Sequence, residues 1–376
     1  MLLTRRIFTT GLGAATLVSG AAAGQAGADT PKLVLILLRG AMDGLTALPK
    51  LDDRHIQGHR QKLIPQGALP LTDGFAAHPK LANWHGWFKA GEAAFVHAVA
   101  GPYRERSHFK AQDLLETGAQ TLPGREGWLN RLLQQRPDLS ALSIGPATPM
   151  ILQGKAAASS WSPAVLAPAN DDTLMRLEGL YASDALFAGA LAQALETNAV
   201  AGDMGMAKRG GGALGAITAQ MEGAGRLLAK AGGPDIAVID IDGWDTHSAQ
   251  MGRLGRMLEG LDTGLGTLKA AMGAQWGNAA IAIVSEFGRT VRENGGGGTD
   301  HGTAGVALLA GGKIKSGQHG DWPGLAPGAL YEGRDLYPAN DMNDMFAGLL
   351  AGLYGVSRTD LRAIFPAAPT PMLQLV

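Results

Sequence analysis

The sequence predicts an α/β fold in three layers, a mostly parallel central sheet flanked by helices. Three observations favour this fold class. Strand-length apolar runs alternate with helical stretches along the chain. Several runs, such as Lys32–Leu38 and Ile236–Ile241, are apolar on both faces, which is typical of strands covered on both sides of a parallel sheet. Glycine is abundant, at 55 of 376 residues, and follows no period, which indicates tight loops on a packed scaffold.

The individual elements follow from these runs in chain order. The predicted strands are Lys32–Leu38, Ala94–Val99, Ala141–Ile144, Ala164–Ala167, Ile236–Ile241, Ala279–Val284 and Gly305–Leu309. The predicted helices are Lys80–Ala90, Ser107–Thr117, Asp172–Thr197, Ala213–Ala231, Ser248–Met272 and Asn343–Tyr354. Their alternation implies right-handed crossovers. We interpret the Ala- and Gly-rich stretch from about residue 172 to 231 as a helical insert or lid within one domain, residues 29–376.

The composition excludes several classes of site and of partner. The chain has no cysteine, which excludes disulfides, thiolate metal sites, iron–sulfur clusters and a cysteine nucleophile. Any metal ion must therefore be bound by His, Asp, Glu or hydroxyl groups. The formal net charge of -1 argues against a nucleic-acid binder, because such proteins carry a basic excess.

The first 28 residues have the three parts of an export signal. Arg5 and Arg6 form a twin-arginine head, a weakly apolar run covers residues 11–23, and the small residues at 26–28 form a cleavage site. The apolar run is shorter than the roughly 20 residues needed to span a membrane, so we expect no stable membrane anchor. We therefore expect export to the periplasm by the twin-arginine machinery, with cleavage after Ala28.

Polar residues follow the predicted strands at the edge of the sheet where open parallel sheets bind ligands. Asp43 lies close to two glycines after the first strand, where it could bind a metal ion or cap the next segment. Asp245 and His247 follow the fifth strand. Because residues two apart on an extended chain point the same way, both could reach one ion. The alternative is a helix N-cap at Asp245 or Thr246 with a surface histidine.

Two further groups lie near the next strand ends. Glu286 directly follows the sixth strand, where burial requires a partner, either a metal ion or Arg289. Asp300 and His301 follow a run of four glycines and precede the seventh strand, forming a second acid–histidine pair. Two such pairs at neighbouring strand ends predict a divalent-cation site with oxygen and nitrogen ligands.

Ser107 stands at the start of a predicted helix, within the run YRERSHF at residues 103–109. It could be the helix N-cap, or a nucleophile that gains from the positive end of the helix dipole. Arg104 and Arg106 beside it would add charge that binds phosphate or sulfate.

The ordered motifs RGAMDGL, YRERSHF, GWDTH, SEFGRT and GTDHG resemble those of the bacterial domain-of-unknown-function family 1501, over nearly the whole mature chain. That family is similar to the alkaline phosphatase and sulfatase superfamily, which implies one or two divalent metal ions beside a serine or threonine nucleophile. The resemblance implies that Ser107 is the nucleophile. The metal ligands that it implies are Asp43, Asp245, His247, Glu286 and His301, with Asp300 assisting.

Two departures from the superfamily pattern limit the metal content. Phe287 stands where the superfamily has a histidine, and Asp245 and His247 are closer in sequence than the usual acid and histidine. A second ion would therefore lack a nitrogen ligand. We expect one divalent ion, or a second that binds weakly, with Zn, Mn and Ca as the open choices.

Two functions stay open at this point. The first is an exported metal-dependent hydrolase or transferase acting on small-molecule or glycan phosphate or sulfate esters. In it the ion would lower the pKa of the Ser107 hydroxyl. The charge on the ester oxygens would be neutralised by Arg104, Arg106 or Arg289. The second is a catalytically degenerate relative that serves as a binding or assembly factor at the cell envelope. Phe287 and the altered spacing favour this alternative.

Overall fold

The computed structural model describes residues 30–122, 124–145, 147–163, 171–181, 183–184, 187–189, 191–192, 194–195 and 212–376. The strands are β1 Lys32–Leu38, β2 Leu69–Pro70, β3 Ala76–Ala77, β4 Ala93–Ala100, β5 Ala141–Ile144, β6 Ser159–Trp161, β7 Ile236–Ile241, β8 Ala279–Ser285, β9 Gly305–Ala310, β10 Gly317–His319 and β11 Asn340–Asp341. The helices are α1 Gly44–Ala47, α2 Ile56–Arg60, α3 Ala82–Lys89, α4 His108–Thr117, α5 Trp128–Gln135, α6 Asp171–Tyr181, α7 Gly212–Ala229, α8 Gln250–Met272, α9 Met342–Tyr354 and α10 Arg358–Ile364.

A nine-stranded sheet forms the centre of the molecule. Its order is β10-β4-β9-β8-β1-β7-β5-β6, and β11 pairs with β4. Most pairs are parallel, including β1 with both β7 and β8. Among the described strands of this sheet, β9 alone runs antiparallel to its neighbours, β4 and β8. The structure confirms the predicted α/β class with a mostly parallel sheet flanked by helices.

The register brings three strand ends to one level. Leu38, the last residue of β1, pairs with Ile241 at the end of β7 and with Ser285 at the end of β8. Because β9 is reversed, its first residue lies at this same edge of the sheet. Four segments therefore meet the sheet side by side at this edge: those that follow β1, β7 and β8, and the one that precedes β9.

Helices cover both faces of the sheet, and β1 shows this directly, because every residue of it is buried. Alternate residues of a strand point to opposite faces. One set packs in a core with α5, α9 and α10, and the other in a core with α3, α7 and α8. The first set is Leu33, Leu35 and Leu37, and the second is Val34, Ile36 and Leu38.

The predicted limits of β1, β5 and β7 are confirmed, β8 and β9 each extend one residue beyond their predicted ends, and β4 is one residue longer than predicted at both ends. The predicted strand at 164–167 and the export signal lie outside the described residues, as does much of the helix predicted over 172–197. Helix α7 packs against α8 and contributes to the core, while the insert and the domain limits stay predictions. Helices α1, α2, α5 and α10 were not predicted, and of these α5 buries Trp128 and three leucines.

None of the helices in the described part of the chain combines the length and hydropathy that crossing a bilayer requires.

Candidate functional site

Four side chains converge at the edge where β7 and β8 end. Asp245 and His247 lie between β7 and α8, His301 precedes β9, and His108 opens α4. His108, Asp245 and His301 each offer a ligand atom, and these atoms lie within 4.8 Å of one another, so the group could hold a metal ion. The Nε2 atom of His247 lies 3.0 Å from Oδ1 of Asp245 and 3.0 Å from Nε2 of His301. We call these four residues the His–Asp cluster.

His301 lies between the other members of the cluster. Its Nε2 atom is 2.9 Å from Nε2 of His108 and 3.3 Å from Oδ1 of Asp245. Oδ2 of Asp245 is 3.6 Å from Nε2 of His108. Two ligands of a tetrahedral zinc ion, each about 2.0–2.1 Å from the metal, lie about 3.3 Å apart. The spacings in the cluster are of this size.

The outer nitrogen of each imidazole in the cluster faces a hydrogen-bond acceptor. The three bonds run from Nδ1 of His108 to Oε1 of Glu286 (2.6 Å), from Nδ1 of His301 to the carbonyl oxygen of Arg106 (3.1 Å), and from Nδ1 of His247 to Oδ1 of Asp300 (3.3 Å). Carboxylates and carbonyls only accept, so in each neutral ring Nδ1 carries the proton and Nε2 is left with a lone pair. Ligating histidines in metal sites are oriented in this way.

The facing nitrogens fit a divalent cation. Imidazole lone pairs 2.9 and 3.0 Å apart repel one another unless a proton or a cation lies between them. One proton can bridge one pair of nitrogens, whereas a metal ion can accept several lone pairs together with the Asp245 carboxylate. Imidazole and carboxylate ligands suit Zn²⁺ or a similar ion.

Arg289 fixes the segments around the cluster. Its guanidinium is fully buried and pairs with Oδ1 of Asp245. It also donates to the backbone carbonyls of Gly40, Ala41, Trp244 and Thr299. Partial burial favours the protonated form of Asp245, but this guanidinium outweighs it and lowers the pKa of the carboxyl below its ordinary value. Its Nη1 atom also lies 3.5 Å from Nε2 of His247, so all five donors of Arg289 have partners within the protein.

The two arginines predicted beside Ser107 differ in their partners. Arg106 adopts a positive φ of 62°, which is strained for a residue other than glycine. Its guanidinium pairs with Glu332 and with the buried Asp335, while its carbonyl accepts from His301. Arg104 donates to two backbone carbonyls and forms no ion pair with a carboxylate among the described residues.

Glu286 lies behind His108, in contact with its outer nitrogen. Its Oε1 atom also accepts from the side chain of Gln112 and from the backbone of Gly40, and its Oε2 atom accepts from Ser285. Burial alone would raise the pKa of this carboxyl, but the bond from His108 and the other donors lower it. From the sequence, Glu286 was expected to bind a metal ion or to pair with Arg289. The bonds that the structure shows match neither expectation. Asp300 likewise lies against His247, as the partner of its Nδ1.

Asp43 has a separate set of partners. It caps α1 by accepting from the backbone of Leu45 and Thr46, and it pairs with Arg60 at 2.8 Å. Its side chain is 1% exposed, and Gln250 donates to its second oxygen. These bonds engage both oxygens, so the structure shows the capping alternative. We therefore leave Asp43 out of the ligand set proposed below.

Ser107 and Phe287 border the cluster. Ser107 occupies the position before α4, but its hydroxyl forms no hydrogen bond with the helix backbone, so it does not act as a side-chain cap. It lies in sequence between Arg106, whose carbonyl accepts from His301, and His108, whose Nε2 atom lies 2.9 Å from Nε2 of His301. Phe287 is buried and stacks on the ring of His108, with centroids 4.9 Å apart. It contributes a wall of the site instead of a ligand.

His108 is a member of the cluster that was not predicted from the sequence. It follows a serine rather than an acidic residue, so it forms no acid–histidine pair. Its carboxylate partner, Glu286, is 178 positions away, and the fold alone brings them together. Its place beside Ser107 in the YRERSHF motif was the signal that could have identified it.

Two glycines let the backbone segments of the site approach each other. A Cβ atom at Gly40 would lie 2.6 Å from the backbone nitrogen of Asp245. A Cβ atom at Gly298 would lie 2.5 Å from the carbonyl carbon of His247. Any side chain at these positions would push the segment that carries Asp245 and His247 away from its neighbours.

Solved structures with some similarity include three bacterial proteins. The phosphonate monoester hydrolase of Agrobacterium radiobacter has a TM-score of 0.41 and 13% identity, over 86% of this chain and 73% of that one. A protein in the alkaline phosphatase superfamily from Vibrio parahaemolyticus has a TM-score of 0.41 and 10% identity, over 88% and 68%. The C-terminal periplasmic domain of EcEptC from Escherichia coli, in complex with Zn, has a TM-score of 0.37 and 9% identity, over 79% and 76%. Similarity at this level carries no information on activity.

A comparison with curated proteins finds no match. The family described as "Protein of unknown function (DUF1501)" matches residues 23–365, which include every member of the His–Asp cluster and all five ordered motifs. The predicted resemblance is thereby confirmed, and the chain belongs to the DUF1501 family.

Proposed function

We propose that the chain is an exported, metal-dependent hydrolase or transferase that acts on phosphate or sulfate esters. The observation that supports this most is the convergence of imidazole Nε2 atoms on Asp245, each imidazole being anchored through Nδ1. We propose His108, Asp245 and His301 as metal ligands, with His247 as a further ligand on the exposed side. Glu286 and Asp300 then orient His108 and His247.

Ser107 is the proposed nucleophile. Its hydroxyl is free of the helix backbone and stands at the amino end of α4, where the helix dipole favours developing negative charge. A bound divalent ion would supply Lewis acidity and lower the pKa of a nearby hydroxyl. Attack by the Ser107 oxygen on phosphorus or sulfur would form a seryl ester and break the bond to the alcohol, which takes up the proton that Ser107 loses. Water would then hydrolyse the seryl ester, which restores the Ser107 hydroxyl and frees the acid.

Arg104 is the proposed anion-binding residue. It is the one arginine of the predicted three that has no carboxylate partner among the described residues, so its charge is available to an ester. Arg106 and Arg289 are engaged by carboxylates and backbone carbonyls. We propose that these two residues hold the site together.

A second candidate function is that of a binding or assembly factor at the cell envelope that keeps a metal site without turnover. Phe287 favours it, because an aromatic ring occupies a position next to His108 where a further ligand would be expected of an enzyme with two metal ions. The two candidates differ in turnover and share the metal site.

One set of measurements separates them. We expect about one Zn, Mn or Ca ion per chain by elemental analysis of the purified protein, and hydrolysis of at least one class among aryl phosphates, phosphodiesters and aryl sulfates. Ser107→Ala and His301→Ala should abolish this turnover, whereas His85→Ala, a change of a histidine outside the cluster that binds the Pro70 carbonyl, should leave it intact. Absence of any bound divalent ion would refute the site. A bound ion without turnover of any ester would favour the second candidate.

We also propose export through the twin-arginine pathway, on the basis of residues 1–28. Replacing both Arg5 and Arg6 with lysine should retain the full-length chain in the cytoplasm. Unchanged appearance of the processed chain in the periplasm would contradict this proposal.

A further inference from the structure

The side chain of Gln250 joins two segments that carry the His–Asp cluster. Gln250 is the first residue of α8 and is fully buried. Its Oε1 atom accepts from the hydroxyl of Thr246 at 3.1 Å and from the hydroxyl of Thr299 at 2.6 Å. Thr246 lies between Asp245 and His247, and Thr299 lies two residues before His301. One amide oxygen therefore connects the segment after β7 to the segment before β9.

The opposite end of the Gln250 amide is anchored on Asp43. Its Nε2 atom donates to Oδ2 of Asp43 and, at 3.3 Å, to the hydroxyl oxygen of Thr46. Because a carboxylate only accepts, Nε2 must face Asp43, and Oε1 must face the two threonines. Every donor and acceptor position of the amide is then used, so the side chain has one orientation.

Arg60 continues this network under the cluster. Its guanidinium binds both oxygens of Asp43, at 2.8 and 2.9 Å. It also donates to the carbonyls of Thr290 and Val291, at 2.7 and 2.8 Å. These residues directly follow Arg289, which forms an isolated antiparallel bridge with His301. The buried network is thus connected to the segment that carries His301 in two ways, through Thr299 and through Arg60 with residues 290–291.

The start of α8 is itself under strain. Ala249, directly before Gln250, has a positive φ of 47°. The backbone N–H groups of Ala249 and Gln250 donate to the carbonyls of Gly296 and Gly297. A residue other than glycine keeps such a conformation only where its surroundings enforce it. These bonds hold Gln250 in place against the glycine-rich loop.

We infer that Gln250 is a positioning residue for metal binding. Through Thr246 and Thr299 it sets the separation between the segment that carries Asp245 and the segment that carries His301. This inference rests on the proposed metal site. Gln250 touches no ligand of that site, so it acts on the affinity for the ion directly through the two threonines and, over a longer path, through Asp43 and Arg60.

The test compares Gln250→Leu with a matched change on the same helix. Leucine has a similar volume and removes all four hydrogen bonds. The control is Asp262→Asn, because Asp262 is also buried in α8 but bonds to the backbone of Asn83 and Trp84 in α3. By titration calorimetry with Zn²⁺ on the folded proteins, we expect Gln250→Leu to raise the Kd about 10- to 100-fold. The control should stay within about twofold of the unmodified protein.

Hydrogen exchange gives a readout that does not depend on metal. Without Zn²⁺, Gln250→Leu should accelerate amide exchange in residues 244–249 and 294–302 together, and Asp262→Asn should accelerate it in α3 only. If Gln250→Leu fails to fold, Thr246→Val and Thr299→Val each remove one hydroxyl donor and serve the same measurements. A Zn²⁺ Kd within twofold of the unmodified protein, or unchanged exchange in both segments, would overturn the inference. If the unmodified protein binds no Zn²⁺, Mn²⁺ or Ca²⁺, the proposed function fails, and the exchange data alone decide whether Gln250 joins the segments.

Discussion

Asp43 and Asp245 are two carboxylates at the same edge of the sheet, and their surroundings differ sharply. Asp43 follows β1 and its side chain is 1% exposed, whereas Asp245 follows β7 and its side chain is 44% exposed. Asp43 bonds to a guanidinium, an amide, a hydroxyl and two backbone N–H groups. Asp245 bonds to Arg289 through Oδ1 and faces imidazole nitrogens with both oxygens.

The difference shows how a supporting carboxylate is told from one that is available to a ligand. Both sites contain a buried arginine, so the presence of an ion pair does not distinguish them. What distinguishes them is whether donors engage the carboxylate on all sides. A fully engaged carboxylate such as Asp43 stabilises the fold, and a half-exposed one facing lone pairs, such as Asp245, has capacity left for a cation.

The largest effect is expected from Asp43→Ala. It leaves Arg60 buried without its counter-ion, so the free energy of unfolding should fall by about 3–5 kcal/mol. Denaturant titration measures this loss. Asp240→Ala is the control, since Asp240 lies in β7, pairs with Arg39 and is 36% exposed, and Arg39 keeps Glu116 as a partner. Equal losses in the two variants would contradict the distinction between the sites.

The next largest effect is expected from His108→Ala. Removing one ligand of the proposed site should raise the Kd for Zn²⁺ more than about 100-fold, equivalent to more than about 2.7 kcal/mol of binding free energy. Titration calorimetry measures it. Because the buried Glu286 keeps its bonds from Gln112, Gly40 and Ser285, the change should cost less stability than Asp43→Ala. A Zn²⁺ affinity close to that of the unmodified protein would remove His108 from the ligand set.

A third prediction concerns acid sensitivity in the buried region beside Asp43. Burial lowers the pKa of His97 to about 4, from 6.5, and burial together with Lys80 lowers that of His78 to about 4. The folded chain therefore binds fewer protons than the unfolded chain between these values. Stability should be complete above pH 6.5 and should fall as the pH drops from 6.5 to 4, by up to about 1.4 kcal/mol per pH unit for each histidine.

Unfolding measured across this pH range checks the assignment. His97→Gln should remove the contribution of His97 and lower the slope by up to about 1.4 kcal/mol per pH unit, while Asp240, whose pKa burial raises to about 6, contributes with the opposite sign in both proteins. A slope that is unchanged in this variant would show that His97 does not stay neutral in the folded protein.

The smallest effect is expected from Ser107→Ala on stability. A serine that caps a helix contributes about 1 kcal/mol, but the Ser107 hydroxyl forms no cap bond, so the free energy of unfolding should change by less than about 0.5 kcal/mol. Thermal unfolding measures this. A loss of 1 kcal/mol or more would assign Ser107 a structural role and weaken its proposed part in catalysis.

The sheet was largely predictable because its strands carry a local signal. The runs of β1, β7 and β8 are apolar apart from Lys32, Asp240 and Ser285, and the edges of these runs are the edges of the strands to within a residue. The reversal of β9 has no such signal. The sequence of Gly305–Ala310 is apolar in either direction, and only the pairing partners decide how it runs.

The candidate site was predictable in part, and its limits have a physical cause. Asp245, His247 and His301 were recognised from acid–histidine pairs, and the structure brings them together. Asp43 looks like a ligand in the sequence because its partner Arg60 lies on a separate helix. His108 was missed for the same reason, since its partner Glu286 is distant in the chain. Long-range partners decide whether a polar residue supports the fold or faces a ligand, and spacing within a motif does not record them.

The reversal of β9 bears on how this site can vary. The polypeptide between β8 and β9 leaves and re-enters the sheet at one edge, so it needs no helical crossover. A connection of this kind between two neighbouring strands can change in length or sequence at small entropic cost, and the order of the strands in the sheet stays the same. Arg289, Asp300 and His301 all lie on it. Residues 286–291 and 302–304 are buried, so the more exposed stretch at residues 292–297 is the natural unit for a graft between members of the family.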